Sequence, residues 1–206
     1  MPPKPNKTKT QPTKKPSGLP KDSKRSSTFS VPSNWPPHLP YYTVPLLSPA
    51  LSRPSDLLAI SSLNLLSKVP TASPSALVKI KPISLPTHPA NGQAGLFALR
   101  TLPARSWVID YIGFYHTLEE SDPTSDYDIS LDREAGVAVD AAKGGNEARF
   151  VNDYRGVGER ANVEFENRRV GGQMRIAVMV GPREIKKGEE LLVSYGKGFW
   201  DGRKGE

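Results

Sequence analysis

The chain has 206 residues, no cysteine and a formal net charge of +7. Without thiols neither a disulfide framework nor a thiolate zinc site can be built, and His38, His88 and His116 lack ligand spacing, so no metal is expected. The longest apolar-looking region, residues 41–66, is cut by prolines, Arg53 and Asp56 well before the roughly 20 residues a bilayer span needs, so no transmembrane segment and no membrane partner are expected.

Residues 1–28 hold eight Lys/Arg against the single acid Asp22, which is the whole net charge; the remainder is balanced. The basic pI therefore belongs to a tail and not to a binding face. That tail, rich in Pro, Lys, Ser and Thr, cannot bury enough apolar surface to offset about 1–2 kcal/mol of backbone entropy per residue, so residues 1–37 are expected to be disordered. Its basic residues are dispersed, which predicts at most a weak, salt-sensitive contact with nucleic acid, beside the plainer reading of a solvated linker. The N-terminus lacks the apolar segment of a secretion signal, so an intracellular protein, nuclear or cytoplasmic, is expected.

Residues 38–74 form a Pro-rich flank. Leucine and isoleucine spacing after Asp56 predicts a short helix over 56–68, either shaping a substrate groove or covering an apolar edge, with Trp35, Tyr41 and Tyr42 as anchors if the flank docks. From residue 75 to 200 the pattern changes to short β runs: 77–80, 95–99, 107–114, 128–131, 137–140, 161–165, 175–180 and 191–194. Asn91-Gly92, Gly171-Gly172, Gly181-Pro182 and Lys187-Gly188 separate them as turns. No helix of ordinary length lies between them, so the fold class is mainly β, several small sheets with few short helices, and residues 201–206 are a C-terminal end.

Three strings within that β-rich part resemble, in order, the SET-domain family of protein-lysine methyltransferases. GQAGLFALRTLPARSWVIDYIG (92–113) is similar to the family's opening, a glycine turn, a Leu-Phe-Ala strand and an extended run ending Tyr-x-Gly, although its glycines stand one residue further apart. DAAKGGNEARFVND (140–153) is similar to the segment that ends Asn-His-Ser-Cys, with Asp153, Tyr154 and Arg155 after the Asn, and RANVEF (160–165) supplies a later Asn162. GEELLVSYGKGFW (188–200) is similar to Gly-Glu-Glu-Leu-x-x-Asp-Tyr-Gly, with Ser194 in place of the Asp. The resemblance implies a SET fold with a knot-like C-terminal segment, divergent in that the cysteine-rich zinc module many members carry after it is not expected in a sequence without cysteine.

The resemblance further implies S-adenosyl-L-methionine as cofactor and a protein lysine, histone or non-histone, as substrate. Tyr195 would be the catalytic tyrosine. Gly92, Gly95, Leu96, Arg149, Asn152, Asp153 and Trp200 would hold the cofactor, and Tyr111, Tyr127 and Phe199 would wall the lysine channel. The residue types suit that chemistry. Glycine lets backbone approach a ligand closely, and a phenol can align an amine without competing as a nucleophile. Each has a plainer reading: a glycine pair beside a hairpin is a turn, an Asn at a chain crossing satisfies backbone, and a Tyr after an apolar strand is core. The rival function, favoured by the departures at 153–155 and 194, is a catalytically inactive SET-like module that binds a protein partner.

Overall fold

The computed structural model describes residues 30–52, 61–71 and 74–196, and among these helix is confined to four 3-10 turns, Ala50–Ser52, Ser61–Leu63, Leu118–Glu120 and Glu147–Phe150. The apolar runs punctuated by Gly and Pro instead make strands. In chain order these are β1 (Leu46–Leu47), β2 (Val78–Pro82), β3 (Ala94–Ala98), β4 (Trp107–Tyr111), β5 (Phe114–Thr117), β6 (Asp128–Asp132), β7 (Val137–Asp140), β8 (Asn152–Asp153), β9 (Val163–Val170), β10 (Gln173–Val180) and β11 (Leu192–Val193). They pair into four small sheets, β1-β5-β7-β6, β4-β10-β9, β2-β3 and β8-β11, the mainly β arrangement that the sequence leads one to expect.

Local chemistry explains the larger pieces. Gly171 and Gly172 both take positive φ, which a two-residue hairpin turn requires, and they join β9 to β10 with Val170 opposite Gln173. β10 lies between β9 and β4 and is buried almost throughout, whereas β9, at the sheet edge, shows many exposed positions. The run expected as one strand over 107–114 is two strands. A Cβ at Gly113 would lie 2.4 Å from the Asp140 carbonyl oxygen, so only glycine allows the break between β4 and β5 there.

The core contains Ile80, Leu96, Ile109, Val139, Val178 and Leu191, all essentially inaccessible. Two charges are buried with it. Asp110 accepts from Trp107 Nε1 at 2.9 Å and Arg168 Nε at 2.6 Å, and pairs with Arg175 at 3.4 Å; Arg175 in turn donates to Gln173 Oε1 and to the Val69 carbonyl. Buried charges persist only when paired and hydrogen-bonded in this way.

The flank belongs to the same core. Trp35 is 8% exposed and packs edge-on to Tyr41 and Phe150, so this residue of the stretch 1–37, expected to be disordered, is part of the folded core. Tyr42 N–H donates to the Gly145 carbonyl at 2.7 Å, and Tyr41 Oη to Glu147 at 2.7 Å. Residues 1–29 lie outside the described residues, as do 56–60 at the start of the expected helix. Its described remainder is a 3-10 turn followed by Asn64 at φ +46°, a left-handed residue that interrupts a helix.

Candidate functional site

The site is made by two segments that meet late in the chain. β11 pairs in parallel with β8, Leu192 opposite Asn152 and Val193 opposite Asp153. The amide of Asn162 clamps the incoming segment like a short piece of strand, donating to the Glu190 carbonyl at 2.8 Å and accepting from Leu192 N–H at 2.7 Å. Tyr195 follows directly. Its backbone N–H donates to Asp153 Oδ2 at 2.7 Å, and its hydroxyl donates to the Val151 carbonyl at 3.0 Å. Burial, reinforced by Tyr127 and Asp153, pushes that hydroxyl well above the ordinary tyrosine range, so it stays protonated at neutral pH.

Two cavities meet at this tyrosine. One, of about 610 Å³, is walled by Tyr111, Tyr127, Ile129, Phe165, Ser194 and Tyr195 among others. The other, of about 630 Å³, is walled by His88, Gln93, Ala94, Phe150, Asn152 and Arg155. Asp126, Tyr127, Arg149 and Tyr195 line both. Both volumes lie in the range of small-molecule and peptide side-chain sites. Tyr111, deeply buried, donates to the Tyr127 carbonyl at 2.7 Å and thereby supports the wall between the cavities. Desolvation raises its hydroxyl too, against the opposing pull of Arg149. The Arg149 guanidinium lies 4.2 Å over the Tyr127 ring, and its Nε donates to the Ala141 carbonyl.

The second cavity carries an ordered polar wall. Asn152 Nδ2 donates to Glu190 Oε1 at 2.8 Å and to the Ala94 carbonyl at 3.3 Å, and Glu190 Oε2 meets His88 Nε2 at 3.1 Å. Gly92 takes φ +82° where β2 turns back into β3, with its N–H on the Ile83 carbonyl.

The structure therefore brings Gly92, Arg149, Asn152, Asp153, Tyr111, Tyr127 and Tyr195 to the two cavities, and revises three expectations. Leu96 is core: its side chain is fully buried and lines neither cavity. The space a Cβ would take at Gly95 is filled by Glu190 Oε1, 2.3 Å away, and the Asn152 amide at 3.1 Å, so this glycine makes room for a side chain, and the wall is formed by 92–94. Asp153, expected to hold the cofactor, spends its charge on Tyr195 N–H, Arg155 N–H and the Arg155 guanidinium at 2.9 Å. Tyr154 lines neither cavity; its ring lies beside Arg155. Phe199 and Trp200 lie outside the described residues.

Glu190 and His88 escaped the sequence reading. Glu190 had a signal, since a carboxylate directly before a buried apolar run must find partners. His88 had none.

The chain is similar to known proteins in sequence and in fold. A family model, the SET domain, matches residues 93–196. Among solved structures, the chain is similar to the polycomb repressive complex 2 of Chaetomium thermophilum, with 27% identity and a TM-score of 0.48 over 61% of this chain and 16% of that one. It is also similar to ctPRC2 in an autoinhibited conformation bound to S-adenosylmethionine, with 28% identity and a TM-score of 0.48 over 59% of this chain and 15% of that one. The chain thus spans about a sixth of the length of these structures.

Proposed function

The chain belongs to the SET-domain family, and on that premise we propose that it transfers a methyl group from S-adenosylmethionine to the side-chain amine of a protein lysine. The observation that carries the reading is the shared wall: Tyr195, with Tyr127 and Arg149, lines two cavities of similar size, as a residue must if it is to serve two reactants that meet.

The residues of the second cavity fit the cofactor. Asn152 Oδ1 is an acceptor for an ammonium, and Phe150 and the Gly92–Ala94 backbone give a flat, close-approaching wall. S-adenosylmethionine held there supplies an electrophilic methyl carbon. The chain's own contribution is alignment and desolvation. The aromatic walls of Tyr111, Tyr127 and Phe165 suit an extended aliphatic stem, and the buried Arg149 guanidinium makes a neutral amine easier to admit than an ammonium. The Tyr195 hydroxyl, kept protonated by burial and with its hydrogen on Val151, accepts an N–H of the amine and turns the nitrogen lone pair away from itself.

The test is calorimetry with S-adenosylmethionine, followed by methyl transfer to a pooled protein extract by wild type and Tyr195→Phe. Cofactor affinity should survive the substitution, while turnover falls by a factor on the order of 10². If both proteins bind cofactor and neither methylates any protein, the inactive binding module replaces this reading.

A further inference from the structure

We infer that His88 is a positioning residue of the second cavity: acting through Glu190, it fixes which way round the Asn152 amide sits and so presents an acceptor to the ammonium end of an amino-acid-bearing ligand. The inference rests on the S-adenosylmethionine reading above. It concerns a residue that lies ahead of the matched family segment, in the loop between β2 and β3.

The relay starts at backbone. Ala90 N–H donates to His88 Nδ1 at 3.0 Å, so Nδ1 carries a lone pair and the neutral ring holds its hydrogen on Nε2. That hydrogen goes to Glu190 Oε2 at 3.1 Å. The other oxygen, Oε1, accepts from Asn152 Nδ2, which also donates to the Ala94 carbonyl. Both partners of Nδ2 are acceptors only. Reversing the amide would set Asn152 Oδ1 against two oxygens, so the orientation is determined by chemistry. Both hydrogens of Nδ2 are then used, and Oδ1 has no partner among the described residues.

Burial makes the relay stiff. The side chains of His88 and Glu190 are 6% and 9% exposed, so water has little room to stand in for either. Glycine at 95 completes the design by leaving Glu190 Oε1 its place. His88, Ala90, Ala94 and Asn152 all line the same cavity, so the relay and the acceptor it sets face one ligand space. Removing the imidazole frees the carboxylate to turn, and with it the amide.

The experiment titrates the full chain with S-adenosylmethionine and with 5′-methylthioadenosine, which keeps the adenosine and sulfur and lacks the amino-acid end. His88→Ala should weaken S-adenosylmethionine on the order of tenfold and leave methylthioadenosine unchanged. His88→Gln, whose amide can donate to the same carboxylate, should restore most of the loss. Glu190→Gln, which removes the acceptor-only partner, should show the same selective loss, and thermal melts of all three report whether the fold persists. Equal losses for both ligands, or a failure of Gln to rescue, would assign His88 a merely structural role and overturn the inference. A wild type that binds S-adenosylmethionine with no response to His88→Ala sinks the relay alone; a wild type that binds neither ligand sinks the function reading and the relay with it.

Discussion

The carboxylate of Asp153 holds the backbone N–H of Tyr195 at 2.7 Å. The same buried side chain takes the backbone N–H of Arg155 at 2.8 Å and its guanidinium at 2.9 Å, so one residue sets the chain on both sides of the cavity junction. Asp153→Ala should lower stability by about 1.5–3 kcal/mol, the range for a lost charged hydrogen bond, and Asp153→Asn by less, because one acceptor remains. Urea unfolding measures it. An unchanged midpoint in the alanine variant would mean that the anchor is idle.

Gly95→Ala asks two atoms to share one place, since the new Cβ would lie 2.3 Å from Glu190 Oε1. The carboxylate is held from both sides, by His88 and Asn152, so it yields with difficulty; a loss of about 1–3 kcal/mol is expected. Adding Glu190→Ala should make the two changes strongly non-additive, because the clash disappears with the side chain. Simple additivity in the double-mutant cycle would show that Gly95 has some other purpose.

Trp35 separates the flank from the tail. Trp35→Ala removes a buried ring packed on Tyr41 and Phe150 and should cost about 3 kcal/mol, lowering Tm by on the order of 10 °C. Deleting residues 1–28 removes none of the described contacts and should scarcely move Tm. The pair of melts locates the edge of the folded unit; a deletion as harmful as the substitution would move that edge toward the N-terminus.

Alkaline pH should unfold the protein through its tyrosines. Burial raises the hydroxyls of Tyr111, Tyr115 and Tyr195 above their ordinary value, whereas an unfolded tyrosine loses its proton near pH 10. Above that pH the unfolded chain binds fewer protons than the folded one, so stability falls as pH rises, by about 1.4 kcal/mol per pH unit for each such group. Below it their contribution is constant. Tyrosinate absorbance followed alongside circular dichroism should show these three ionising only as structure is lost; all seven tyrosines titrating near pH 10 in a folded protein would contradict this.

Strands were legible wherever the signal is local. Short apolar runs with β-branched residues mark β7 and β10, and Gly171-Gly172 marks the turn between β9 and β10. The break at Gly113 was hidden, because its cause is a carbonyl of Asp140 arriving from another strand. The leucines of 56–68 do carry helical spacing, but tertiary partners claim the described backbone: Arg169 takes the Ser62 carbonyl and Gln173 the Leu65 carbonyl, acceptors that a helical ladder would need. At the site, Tyr195 and Asn152 could be found from their motifs. The occupation of the Asp153 charge could not, since residue type announces a charge and says nothing about which donors will reach it.

The clamp that Asn162 places on residues 190–192 also sets a timetable. A nascent chain extended to Val180 already holds every strand of the two larger sheets, yet Asn152 has no β11 beside it, Gly95 faces no carboxylate, and Tyr195 does not exist. Synthesis runs from the N-terminus, and a domain generally folds as a unit. Of the wall common to both cavities, Tyr195 therefore arrives last, with residues 189–195, and a half-made chain carries two cavities that lack the residue at which they meet.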